Sequence, residues 1–157
     1  MLHDKIQRDT IDPTKKDFDY ESTPFYNMVR LTALYHQRVD ASLKPIGMDS
    51  SRWRILIVLT KMEQATITQL SKESVIKIST IAKIIQRMTA DGLVETKTCT
   101  EDARSTKVFV TEYGAEKVEV MRGKVGKIVR QAYLDMDDEE LAAINQITKA
   151  IHDNLSP

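Results

Sequence analysis

Apolar residues recur at three- and four-residue spacing along Met28, Leu31, Leu34, Tyr35, Val39 and Leu43, which predicts one long amphipathic helix. Thr23-Pro24 opens it with a capping hydroxyl and a proline at the first helical position, and Pro45-Ile46-Gly47 ends it. A second helix starts at Asp49-Ser50-Ser51 and runs through Trp53, Leu56, Ile57 and Leu59 to about Met62. It is apolar nearly all round, the mark of a buried helix. Thr66 caps a short third helix, a break follows near Ser74 to Lys77, and a fourth helix runs from Ile78 to Ala90, closed by Asp91-Gly92. Two β-prone runs, Leu93 to Lys97 and Thr106 to Val110, flank the polar stretch Thr98 to Ser105 and predict a hairpin with a long tip. Thr111-Glu112-Tyr113-Gly114 opens a fifth helix to about Tyr133, with Val118, Met121, Val125, Ile128 and Val129 on its apolar stripe. The acidic stretch Asp135 to Glu140 leads into a sixth, carrying Leu141, Ile144, Ile147 and Ile151. Residues 1–22 lack helical periodicity and read as an extended arm.

Composition narrows the class. At 157 residues, with 41% hydrophobic and 29% charged side chains, the chain fits a soluble globular domain with a real core. Its longest apolar run, Ile55 to Leu59, is far too short to span a bilayer, and residues 1–12 carry no secretory pattern. The lone Cys99 excludes an intramolecular disulfide and fits a reducing, cytoplasmic setting. His3, His36 and His152 are scattered without metal-ligand spacing. No phosphate loop, nucleophile elbow or paired-carboxylate motif is present, so neither an enzyme nor a cofactor is expected. The net charge is zero, yet residues 25–65 hold six basic against three acidic side chains and residues 66–110 seven against five, while both ends are acidic. A basic centre is compatible with an anionic partner there.

The order short helix, tight turn, helix, hairpin is that of a winged helix-turn-helix. On the fourth helix, at about 100° per residue, Ile78, Ile81, Ile84, Ile85 and Met88 share one arc. Ser79, Thr80, Lys83, Gln86, Arg87 and Ala90 fill the other, where hydroxyls, an amide and long cations would face a major groove. On its own the pattern fits a solvated face at least as well. The hairpin shifts the balance, because Asp102 and Arg104 lie two apart on an extended tip, on the same side. There Asp102 can hold the Arg104 guanidinium while it reaches a phosphate or a minor groove; the plainer reading is a surface ion pair.

The stretch Thr66 to Gly114 resembles the MarR (multiple antibiotic resistance regulator) family of bacterial transcription factors. The matching residues are Gln69-Leu70-Ser71, Ser79-Thr80-Ile81 through Arg87-Met88, and Asp91-Gly92-Leu93-Val94. They continue with Asp102-Ala103-Arg104-Ser105 and Val108-Phe109-Val110-Thr111-Glu112-Tyr113-Gly114, the most distinctive block. Two departures stand out: Val75 occupies a turn position where many members have glycine, and Thr96-Lys97-Thr98 replaces a strand arginine often seen. The resemblance implies a homodimer on a palindromic double-stranded operator, usually a repressor, often released by a small aromatic or phenolic effector.

The fold expected is therefore mainly α: a winged helix-turn-helix lobe at 49–110 with a two-stranded wing, a helical dimerisation region at 23–48 and 111–157, and an arm at 1–22. The expected DNA-binding residues are Lys77, Ser79, Thr80, Lys83, Arg87, Asp102 and Arg104. Effector candidates are Arg30, Tyr35, His36 and Trp53, beside apolar walls from Met28, Leu31 and Ile57. A guanidinium, a phenol and an imidazole among apolar walls suit a flat ligand with one charged end, and control of aromatic catabolism is the role this suggests. Core packing for Trp53, dimer packing for Tyr35 and His36, and a surface ion pair for Arg30 are the competing readings. A winged helix that binds protein instead of an operator is the rival function.

Overall fold

Thr23 and Pro24 begin the long helix as their chemistry requires: the Thr23 Oγ1 accepts from the Tyr26 amide at 3.2 Å, and Pro24 needs no donor there. The computed structural model describes residues 7–98 and 106–156. A short helix α1 (Arg8–Ile11) and a 3-10 turn (Tyr20–Ser22) precede α2 (Pro24–Leu43). The arm is thus not simply extended, since the Asp19 amide folds it back onto the Thr10 carbonyl at 2.9 Å.

A 3-10 turn (Lys44–Ile46) and Gly47 at φ +72° end α2, and Asp49 caps α3 (Ser50–Met62) by accepting from the Arg52 amide. Asp40 clasps this corner, accepting from the Ser50 amide at 2.7 Å. A strand β1 (Gln64–Thr66) leads into α4 (Ile67–Ser74), whose start is a capping box. In that box the Gln69 amide donates to Thr66 Oγ1 and the Thr66 amide donates to Gln69 Oε1. Then come α5 (Ile78–Ala90), β2 (Val94–Thr98), β3 (Thr106–Val110), α6 (Glu112–Ala132) and α7 (Asp138–Leu155).

The β2–β3 hairpin is the expected two-stranded wing, and β1 adds a third strand to its sheet. β3 lies between β1 and β2, antiparallel to both, with Ala65 opposite Val108 and Thr96 opposite the same residue on the other side. Val108 is fully buried, so the sheet is sewn into the core beneath α3. That core joins Val39 and Leu43 of α2, Ile55, Leu56 and Leu59 of α3, and Leu70 of α4. Ile81, Ile85 and Met88 of α5 and Val118, Met121 and Val125 of α6 complete it. Val125 thus belongs to the chain's own core, and Ile128 packs partly against it, whereas Val129 stays exposed.

The turn between α4 and α5 is stapled by Ser71, whose Oγ donates to the Ile76 carbonyl at 2.6 Å. At its apex Val75 sits at φ +53°, where a β-branched side chain crowds its own carbonyl. The missing glycine is therefore a source of strain. Val75→Gly is expected to raise stability by about 1 kcal/mol, read as an upward shift in Tm; an unchanged or lower Tm would show the strain to be negligible.

Candidate nucleic-acid interface

The second helix of the motif, α5, has no acidic residue between Ile78 and Ala90. Ser79, Thr80, Lys83, Gln86, Arg87 and Ala90 are all exposed, and Ile81, Ile85 and Met88 are buried. Lys77 stands exposed at the N-cap. None of Lys77, Lys83 and Arg87 pairs with a carboxylate among the described residues. The structure thus brings five of the expected DNA-binding residues onto or beside one cationic helix face. Ile78 departs from its expected arc: it is 54% exposed at the head of that helix. Asp102 and Arg104, with Cys99, lie outside the described residues.

The far end of α5 is held hard. Gly92 at φ +72° lets the Leu93 amide reach the Met88 carbonyl at 2.9 Å and the Gly92 amide reach Thr89, which closes the helix carbonyls. Arg52, which no pattern in the sequence singles out, ties this cap to the start of α3. Its guanidinium lies 3.3 Å from Asp91 and 3.2 Å from Asp49, and donates to the Gly47 carbonyl. On the wing, Lys97 pairs with Glu95 at 2.8 Å and stands 4.9 Å from the Phe109 ring centre. A cavity of about 260 Å³ between Asp49, Ser51, Arg52, Ile84 and Arg87 adjoins the α5 face.

The expected effector residues are only partly assembled. Tyr35 and His36 are half-buried, their rings 5.5 Å apart, and Trp53 packs at the core edge. Arg30 is exposed and engaged elsewhere: it donates to the Tyr26 hydroxyl at 2.9 Å and stacks over that ring. Leu31, an expected wall, is 65% exposed. Neither this cavity nor a second of about 320 Å³ at Gly47, Leu93 and Tyr113 is lined by any of the four. His36 Nδ1 and Arg54 Nε are buried without a hydrogen-bond partner among the described residues. Arg54 is not among the expected residues; only burial singles it out. Among the described residues no group of three or more His, Cys, Asp or Glu could hold a metal ion, and no helix is long and apolar enough to cross a membrane.

A helix-turn-helix with a cationic second helix, followed by a sheet hairpin, defines a winged helix DNA-binding protein. The chain belongs to the MarR family. The family profile matches residues 46–105. The HTH-type transcriptional repressor IacR of Pseudomonas putida is 33% identical over 144 residues, covering 92% of this chain and 86% of that one. Among solved structures, a mutant MarR from E. coli complexed with operator DNA superposes with a TM-score of 0.74 at 17% identity, covering 85% of this chain and 99% of that one. BpsR of Bordetella bronchiseptica, whose DNA binding is regulated by 6-hydroxynicotinic acid, gives a TM-score of 0.78 at 17% identity, covering 87% and 97%. The protein is accordingly a DNA-binding transcriptional regulator, of a family that is not enzymatic.

Proposed function

We propose that the chain is a homodimeric repressor that binds a two-fold symmetric operator and is released by a small aromatic acid. One observation carries the dimer: α7 has no buried residue. Ile144, Ile147 and Leu155 on it, Val129, Tyr133, Leu134 and Met136 before it, and Val29, Leu31 and Leu34 on α2 are all exposed. This long amphipathic helix buries no residue against its own chain, Leu141 and Ile151 being only half-buried, and a second copy would cover its apolar stripe. The helical region at 23–48 and 111–157 would then join the copies, and the lobe at 49–110 would face the DNA. Sedimentation at micromolar concentration should show a dimer; a folded monomer there would overturn it.

Repression and release rest on the relatives' chemistry and on two orphaned atoms. IacR is a repressor, and an aromatic acid regulates BpsR. A buried polar atom left without a partner costs about 1–3 kcal/mol, so Arg54 Nε favours a ligand that brings it an acceptor, as does His36 Nδ1 in the tautomer that carries its proton there. With Tyr35 and Trp53 nearby in sequence on the same two helices, a flat carboxylate is the ligand class these groups suit. It would weaken operator binding only as far as it prefers lobes spaced wrongly for DNA. Titration calorimetry with benzoates, cinnamates and 6-hydroxynicotinic acid should detect binding. His36→Ala should blunt release from DNA while leaving operator affinity without ligand intact, whereas Arg30→Ala, which removes only the contact with Tyr26, should not. No binding across the panel would sink the effector class. The rival, a winged helix that docks only on protein, is disfavoured by the cations of α5, which meet no carboxylate among the described residues.

A further inference from the structure

Ile78 is the first residue of α5, and its exposure is at odds with its neighbours on the helix. Ile81 is fully buried and Ile85 is 3% exposed, whereas Ile78, on the same side of the periodic pattern, is 54% exposed. Turning about 100° per residue places it roughly 40° from Ala82, which is also exposed, and about 100° from Ser79. Ile78 therefore forms an apolar shoulder along the edge of the polar, cationic face. Lys77 and Ser79 flank it in the chain, and the strained Val75, 83% exposed, precedes it at the turn.

A single exposed isoleucine on a protein surface is ordinary. Its place is what matters here, because the N-terminal residues of the second helix in this motif are the ones that meet base edges in the major groove. Only one apolar group is displayed in that groove, the C5-methyl of thymine. The cations at Lys77 and Lys83 can hold phosphates, and Ser79 and Thr80 can hydrogen-bond to bases; Thr80 adds one methyl, but the large apolar surface at the head of the helix is that of Ile78. We infer that Ile78 is a specificity-determining residue that packs against a thymine methyl in each half-site. This rests on α5 being the helix that reads DNA. A β-branched side chain in the first helical turn keeps few rotamers, so it meets the methyl with little further loss of freedom.

The test removes the methyl and nothing else. The full-length protein selects duplexes from a random-sequence pool, and the selected site is remade with deoxyuridine replacing one thymine at a time. Wild type is expected to bind about fourfold more weakly when the thymine beside Ile78 loses its methyl, the worth of one buried carbon. Ile78→Ala, at an exposed helix position where alanine is a good helix former, should keep the wild-type Tm and bind thymine and uracil duplexes equally. The inference is overturned if no single uracil weakens wild type, or if Ile78→Ala discriminates as wild type does. If no sequence is enriched and wild type ignores duplex DNA, the reading role of α5 fails, and the inference goes with it. That result is distinguishable from a failure of Ile78 alone.

Discussion

Gly114→Ala is expected to destabilise the protein by roughly 3–5 kcal/mol, at the upper end of what one substitution does. A Cβ at this position would lie 2.0 Å from the Leu93 carbonyl oxygen and 2.9 Å from a Val110 methyl. The first obstacle is backbone, so no side chain can rotate out of the way. That backbone is also pinned. The Thr111 amide donates to the Leu93 carbonyl at 3.2 Å, the Thr111 hydroxyl donates to the Gly92 carbonyl at 2.6 Å, and the same oxygen accepts from the Gly114 amide. The end of α5, the root of the wing and the start of α6 meet here within a few atoms. Gly92→Ala is the control: it has open space around the added carbon but φ +72°, so it should cost about 1 kcal/mol. Urea unfolding of the two variants separates the mechanisms. A Gly114→Ala midpoint no lower than that of Gly92→Ala would show that the junction can give.

The second large effect falls on DNA affinity. Lys83→Ala and Arg87→Ala should each weaken operator binding about tenfold and together about a hundredfold near physiological salt. The log–log salt dependence should flatten by about one unit for each phosphate that is no longer neutralised. Both side chains are exposed and neither is in an ion pair among the described residues, so Tm should not move. Arg104→Ala, in the segment outside the described residues, should act alike through the wing. Unchanged affinity in both the Lys83 and Arg104 variants would remove α5 and the wing as the DNA-binding face.

Helix starts and stops are legible in the chain because they are local chemistry. Thr23, Asp49, Thr66, Thr111 and Asp137 each cap a helix with the side chain a cap requires, and Gly47 and Gly92 take the left-handed turns. Strand β1 is not legible. Three residues are too few to show alternation, and the partner that makes Gln64–Thr66 a strand is Lys107–Phe109, far along the chain. Ile78 and Val125 depart from their pattern in opposite directions for one reason. Periodicity reports which side of a helix a residue lies on, not how far along that side the covering element extends. So Ile78 has the spacing of a core residue and is exposed, while Val125 has the spacing of an interface between copies and is buried at home. The orphaned atoms of His36 and Arg54 depend on what neighbouring helices fail to offer, which no residue pattern encodes.

The central position of β3 has a mechanical meaning. Its one edge carries β2 and the wing, and its other edge carries β1, which runs straight into the capping box of α4. The wing cannot slide without dragging the helix-turn-helix along, and the Arg52 tie fixes α5 to the same block at its far end. Each lobe is therefore a stiff jaw with its teeth at set offsets. In the proposed dimer a pair of such jaws would work as a caliper: an effector would alter how widely they open, and so the gap tolerated between half-sites, while the letters read by each jaw would stay the same.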